Sequence, residues 1–269
     1  MKEQRVEQDM TLRVTLVQQA LAWQDPVENR RRFEELLAPL AGRTDLVILP
    51  ETFTTGFTME VERAAEPAGG ATEGWLLRLA DRLDAAVTGS VITAQEGRYY
   101  NRLLWAQPGS GLRHYDKRHL FRMGGEHEHF TPGRSPWTVQ WRGFRICPLV
   151  CYDLRFPVFS RRRADLDYDL LIYVANWPAA RAYAWRQLLI ARAIENQAFV
   201  AGVNRIGQDG RGTEHRGESL LCDALGAALA ELGAQPARHT LELDLRALRA
   251  FRERFPAHLD ADRFTLCAP

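Results

Sequence analysis

The chain has 269 residues, 46% hydrophobic and 26% charged, the balance of a globular protein long enough to bury a sizeable core. Its formal net charge of +1 argues against a dedicated nucleic-acid binder, because the arginine clusters Arg30–Arg32 and Arg161–Arg163 have acidic neighbours and read as solvated helix faces. No apolar run reaches the ~18 residues a bilayer span requires; residues 1–9 are polar and charged, and Cys147, Cys151, Cys222 and Cys267 lack C-x-x-C spacing, so a reduced, cytoplasmic setting without membrane contact is expected.

Leu12–Val17 reads as a first strand. Asp25-Pro26 supplies an N-cap and an N1 proline for a helix to about Leu40 with Phe33, Leu36 and Leu37 on one face. Leu46–Leu49 is an apolar strand ending at Pro50-Glu51. A helix over Thr72–Leu83 carries Trp75, Leu76, Leu79 and Leu83 toward a sheet, and Ala86–Thr93 is the next strand. Tyr99–Ala106 and Leu112–Tyr115 flank the turn Pro108–Gly111 as a hairpin, so the sheet is mixed. Beyond it lie Lys117, a polar loop over Arg122–Gly133, and a second hairpin through Arg142-Gly143. That hairpin feeds the strand Phe144–Val150, which ends at Cys151 and is followed by Pro157, a helix-opening residue. Leu170–Val174 is an apolar strand ending at Asn176-Trp177-Pro178. A long helix over Ala180–Asn196 turns Leu188, Leu189 and Ile194 inward, and Phe199–Val203 is a strand. Asn204–Glu218 reads as a mobile surface segment; its glycines 207, 210 and 212 open no helix and make no phosphate cradle. Ser219–Cys222 and Thr240–Leu245 are late strands, the latter before a helix over Arg246–Arg254. With no repeat and no linker, residues 1–269 form one domain, with 1–10 expected to be flexible and 256–269 a tail. Helices alternating with strands and hairpins predict an α/β architecture of sheets covered by helices.

Glu51, Lys117 and Cys151 each follow an extended segment, and strand ends are where α/β proteins assemble sites. Their chemistry is complementary. A cysteine attacking a carbonyl needs a base, an electrophilic partner for the oxyanion and a proton donor for the leaving nitrogen. An unperturbed thiol and carboxyl differ by about four pKa units, so proton transfer costs about 6 kcal/mol in water. A dry pocket narrows the gap by making Glu51 more basic, while the ammonium makes Cys151 more acidic. The strand-to-helix junction is expected to lower the Cys151 pKa further through its free N–H groups and helix dipole. His119, His127 and His129 with Glu126 and Glu128 lack metal-ligand spacing, so no metal is expected. Cys147 reads as a core thiol.

Leu49–Phe53 (LPETF), Tyr115–Phe121 (YDKRHLF) and Cys151–Pro157 (CYDLRFP) resemble, in order and separation, the three signature blocks of the nitrilase superfamily of carbon–nitrogen hydrolases. Tyr173–Pro178 and Ala191–Gln197 are similar to that family too, and the likeness runs from Leu12 to about Leu245. Its form is closest to the ω-amidase branch, which hydrolyses the side-chain amide of 2-oxo acid amides such as 2-oxoglutaramate and 2-oxosuccinamate. The resemblance implies a four-layer α-β-β-α sandwich with mixed sheets, a homodimer, a small-molecule amide substrate and no cofactor. It implies Glu51 as general base and acid, Lys117 as oxyanion stabiliser, Cys151 as nucleophile and a second glutamate at Glu126, with Glu128 as the alternative. The Tyr152 backbone N–H is expected to assist Lys117. Arg155 is the expected anchor for a substrate carboxylate, unless it merely fixes its turn through Asp153; Trp177 and Phe57 are candidate pocket walls. The rival readings are another amidohydrolase of the superfamily, acting on an N-carbamoyl amino acid, a deaminated peptide amide or a nitrile, and a non-catalytic scaffold.

Overall fold

The computed structural model describes residues 10–266, so Cys267 and all but Met10 of the expected flexible start lie outside the described residues. Met10 is tied down, its carbonyl accepting from Leu245 N at 2.8 Å. Two sheets stack face to face. The first contains β1 (Thr11–Gln18), β2 (Leu46–Ile48), the short β3 (Glu66–Pro67), β4 (Ala86–Gln95), β5 (Arg98–Gln107), β6 (Ser110–Asp116) and β15 (Ala237–Asp244), in the order β15-β1-β2-β4-β5-β6 with β3 beside β4. The second contains β7 (Val139–Trp141), β8 (Phe144–Val150), β9 (Leu170–Ala175), β10 (Phe199–Asn204), β13 (Leu220–Cys222) and β14 (Ala228–Glu231), in the order β14-β13-β10-β9-β8-β7. β11 (Ile206–Gln208) and β12 (Glu214–Arg216) form a separate ribbon. Each sheet has a parallel centre, β1-β2-β4 or β8-β9-β10, flanked by antiparallel strands.

The middle strands β2 and β9 are hydrophobic and buried along their whole length because both of their faces are covered. Leu46 and Ile48 of β2 face the second sheet and share a core with Ile146, Leu149 and Val174. Val47 faces the other way, against Phe33 and Leu37 of the helix Pro26–Leu37 and Leu76, Leu79 and Leu83 of the helix Ala71–Leu83. Asp25 caps the first of these helices, its side chain accepting from Glu28 N at 3.0 Å, with Pro26 opening it. The helix Ala182–Asn196 covers the second sheet and comes so close to β10 that a Cβ on Gly202 would lie 2.4 Å from Leu189. The result is the expected α-β-β-α sandwich.

Four expectations need correction. In the helix Ala182–Asn196 the buried stripe is Trp185, Leu189, Ala193 and Asn196, and Ile194 is 51% exposed, since five residues past Leu189 turns a side chain to the far face. The segment after Asn204 is not a loose surface loop: β11 and β12 pair across a turn in which the Asp209 carboxylate accepts from Arg211 N and Thr213 N. The polar stretch Arg122–Gly133 contains a helical turn at Glu126–His129, and β14 pairs with β13 where no strand was expected. The described part of the tail holds one 3-10 turn, Ala257–Leu259.

Candidate active site

The carboxyl ends of β2, β8 and β9 open toward one place, and the end of β6 reaches it from the antiparallel flank. After β2, Pro50 and Glu51 enter a turn in which Thr52 has φ +40° and Thr52 N donates to Ser90 Oγ at 2.8 Å. Glu51 is 1% exposed. Its Oε1 accepts from Lys117 Nζ at 2.9 Å and Asn101 Nδ2 at 2.8 Å, and its Oε2 accepts from Asn176 N at 2.7 Å.

Lys117 follows β6 and is held by its own backbone: its N–H donates to Asn101 O and its carbonyl accepts from Gly133 N, both at 2.9 Å. The returning loop presses so tightly that a Cβ on Gly133 would sit 1.9 Å from Asp116 O, so a glycine is required there. Lys117 Nζ also bonds both oxygens of Glu126, at 3.0 and 2.9 Å, and lies 5.2 Å from the centre of the Phe57 ring. Glu126 is fully buried and its Oε2 accepts from Phe121 N at 2.6 Å, whereas the side chain of Glu128 is 68% exposed. Glu126, not Glu128, therefore meets the lysine.

Cys151 directly follows β8 and has φ +42°, in the left-handed region that an L-residue occupies at a cost of about 1–3 kcal/mol. The turn Cys151–Arg155 that follows is built on buried Asp153, which accepts from Val150 N at 3.1 Å, Tyr115 Oη at 2.8 Å and His119 N at 3.0 Å. His119 Nδ1 lies 2.8 Å from the same carboxylate. Arg155 takes no part in these bonds. Its guanidinium stacks 4.9 Å from the Trp177 ring.

Burial pushes the Cys151 thiol well above the usual cysteine value, the Glu51 carboxylate adds to this, and Lys117 opposes it without prevailing. This corrects the expected acidic thiol. The helix beyond the turn, Pro157–Ser160, is four residues long and supplies too small a dipole to offset desolvation. Burial pushes Glu126 up as well, against the pull of Lys117. Lys117 itself is held above the ordinary lysine value: burial favours its neutral form, but Glu126 and Glu51 outweigh burial and keep it an ammonium. The arrangement can hold a proton on sulfur, receive it on a carboxylate and present a fixed positive charge beside both.

A pocket of about 280 Å³ opens onto Glu51, Lys117 and Cys151. Phe57, Tyr152, Trp177 and Arg155, all expected near the substrate, line it. Three groups escaped sequence reasoning. Arg181 lies against Phe121, 5.3 Å from its ring centre, at the pocket wall. Arg211 and His215 come from the β11–β12 ribbon; burial and nearby Arg205 lower the His215 pKa to about 4, so its imidazole is neutral. Asn101 and Asn176 orient the carboxylates. An asparagine inside a strand, a poor β former among apolar neighbours, was the one available signal for Asn101.

Among the described residues no group of three or more His, Cys, Asp or Glu side chains is arranged to hold a metal ion. Cys147 is a fully buried core thiol.

The carbon-nitrogen hydrolase family profile matches residues 13–253. The omega-amidase YafV of Yersinia enterocolitica is 52% identical over 260 residues, 95% of this chain and 99% of its own. A 2-oxoglutaramate amidase of Bacillus subtilis is 32% identical over 250 residues, 92% of this chain and 96% of its own. Among solved structures, the CN-hydrolase superfamily protein XC1258 of Xanthomonas campestris superimposes with a TM-score of 0.94 at 51% identity, covering 96% of this chain and 99% of the other.

Proposed function

This chain belongs to the carbon-nitrogen hydrolase family, and on that premise we propose that it is an ω-amidase converting 2-oxo dicarboxylic acid monoamides, such as 2-oxoglutaramate and 2-oxosuccinamate, to the 2-oxo diacid and ammonia. The observation that carries the reading is the junction of Glu51, Lys117 and Cys151 in one pocket, in a chain about half identical to an omega-amidase over nearly its whole length.

In the proposed cycle Glu51 takes the Cys151 proton as sulfur attacks the amide carbon. Lys117 Nζ and the Tyr152 N–H receive the negative oxygen. Glu51 then gives the proton to the leaving nitrogen, and the C–N bond breaks to release ammonia and leave a thioester. A water that loses a proton to Glu51 attacks the thioester carbon; the C–S bond breaks, the acid product departs and the proton returns to sulfur. The buried thiol fits this order of events, since attack and deprotonation are coupled and no standing thiolate is needed. Glu126 holds Lys117 in place, Arg155 grips the substrate carboxylate, and Trp177 and Phe57 enclose its carbon chain.

The test is ammonia release from 2-oxoglutaramate, 2-oxosuccinamate, glutamine, an N-carbamoyl amino acid and a nitrile. Turnover of the 2-oxo amides that disappears in Cys151→Ala supports the reading. Exclusive turnover of the carbamoyl compound or the nitrile overturns it.

The same reading includes a homodimer acting in the cytoplasm without a cofactor. Val158, Tyr183, Ile194 and Leu225 are apolar and more than half exposed, and no helix of the described residues is long and apolar enough to cross a membrane. Light scattering that returned a monomer mass of 30.6 kDa would exclude the dimer.

A further inference from the structure

Asn101 lies in β5, opposite Ile92 of β4, and is almost fully buried. Its Nδ2 donates to Glu51 Oε1 at 2.8 Å and to Glu126 Oε1 at 3.1 Å. Lys117 Nζ contacts the same two oxygens, at 2.9 and 3.0 Å. Two carboxylates are thus joined at their Oε1 atoms by two donors, one charged and one neutral. The orientation of the amide is fixed by this, because the reverse would set Oδ1 against two anionic oxygens. Oδ1 is left buried with no hydrogen-bond partner. A leucine or valine would suit this strand position without leaving such an orphan.

The charges explain why the asparagine is there. Its side chain meets Glu51 beyond β2 and Glu126 from its helical turn, Lys117 beyond β6 shares both of these carboxylates, and the electrostatic partners of Lys117 are Glu126, Glu51 and Cys151. One ammonium cannot neutralise two buried carboxylates, and like charges this close drive one of them to take up a proton. A second cation would restore neutrality but would also make the carboxylates poor bases. An amide NH2 stabilises both anions and adds no charge.

We propose that Asn101 is a positioning residue whose amide, bonded to both carboxylates, counters the burial and like-charge repulsion that favour a shared proton on the Glu51–Glu126 pair, so that Glu51 Oε2, left free of Lys117 and Asn101, accepts the Cys151 proton. This rests on the reading of Glu51 as the base for Cys151, and it concerns a residue that touches neither the thiol nor the substrate.

The test needs no substrate. The rate at which iodoacetamide alkylates Cys151 is measured against pH for the wild-type protein, Asn101→Leu and Asn101→Asp, with the modified residue identified by mass spectrometry and folding checked by circular dichroism. In Asn101→Leu the acid limb of the profile moves up by about one pH unit, a tenfold change in proton affinity, because the carboxylate pair now retains a proton to higher pH. In Asn101→Asp a third carboxyl group shares the one ammonium, and the limb moves at least as far. The aspartate variant is isosteric and decides the matter if the leucine variant does not fold. Alkylation slowed by the same factor at every pH, or an unmoved limb in a folded variant, overturns the proposal. Ammonia release from 2-oxoglutaramate is followed in parallel: its absence in the wild type would defeat the functional reading, while the alkylation profiles would still decide the role of Asn101.

Discussion

Asn176 ties the two sheets together at the site. Its backbone N–H donates to Glu51 Oε2 at 2.7 Å, and its side-chain amide donates to the Glu51 carbonyl at 2.6 Å and to Thr52 Oγ1 at 3.0 Å. The tip of β9 in one sheet is thereby fixed to the tip of β2 in the other, and the carboxylate is aimed by an element on the far side of the sandwich. Removing the side chain leaves the N–H bond but frees the Glu51 backbone. Asn176→Ala is expected to lower kcat on the order of 10²-fold, the penalty of an ångström-scale misplacement of a reacting group, with an unchanged circular dichroism spectrum. Wild-type kcat in that variant would mean that the Asn176 N–H alone holds the turn.

Glu126 and Glu128 lie two residues apart in one helical turn, and only the first reaches Lys117. Glu126→Gln keeps the shape but removes half of the negative charge that faces the ammonium. It is expected to lower kcat/KM by roughly 10²-fold or more through a displaced oxyanion donor, chiefly in kcat. Glu128→Gln should stay within about twofold of wild type, as surface substitutions usually do. Steady-state kinetics on the two variants would show it; equal losses would contradict the geometry.

Arg155 has no carboxylate partner among the described residues and lies against Trp177 at the pocket wall. Asp153, the acidic neighbour in its own turn, is occupied by Val150, Tyr115 and His119. Arg155→Lys keeps the charge but loses the planar two-point grip, so KM for 2-oxoglutaramate should rise about tenfold, the loss of one charge-assisted hydrogen bond. KM for an uncharged amide should barely change. Parallel increases on both substrates would assign Arg155 to the architecture of the turn.

What could be read from the sequence follows from where each residue stands. Glu51 and Cys151 were legible because each ends an apolar run, and Lys117 because it closes a hairpin. Glu126 was preferred to Glu128 on the family resemblance alone, since a loop without a period gives no phase of its own. Asn101 and Asn176 acquire their roles from pairings 50 and 125 residues away in the chain, which no local pattern encodes. The β11–β12 ribbon was missed because strands of three residues, rich in charge and glycine, have too few positions to alternate. The acidity of Cys151 was misjudged because the sequence displays the turn but not the depth of its burial.

Away from the site, Arg252 anchors the C-terminal helix Leu245–Arg254. Its guanidinium donates to Asp169 Oδ1 at 2.7 Å, Tyr168 O at 2.8 Å and Gln197 O at 2.8 Å. Burial pushes the Asp169 carboxyl up, but the Arg145 N–H bond and the charges of Arg252 and Arg145 outweigh it and hold the pKa below the ordinary value of 3.8. A carboxylate depressed in the folded state stabilises the protein fully above its unfolded pKa, and that contribution is lost as pH falls through the folded one. Arg252→Leu leaves Asp169 buried with Arg145 alone and is expected to cost roughly 3 kcal/mol at neutral pH, the scale for breaking a buried ion pair. The difference between variant and wild type should begin to shrink below about pH 4, the ordinary carboxylate value, and go on shrinking as pH falls through the lower folded value at which Asp169 takes up its proton. Urea unfolding at pH 7 and at pH 3.5 measures both. A loss of the same size at the two pH values would show that the helix is held by the carbonyl bonds and packing, with the ion pair contributing nothing.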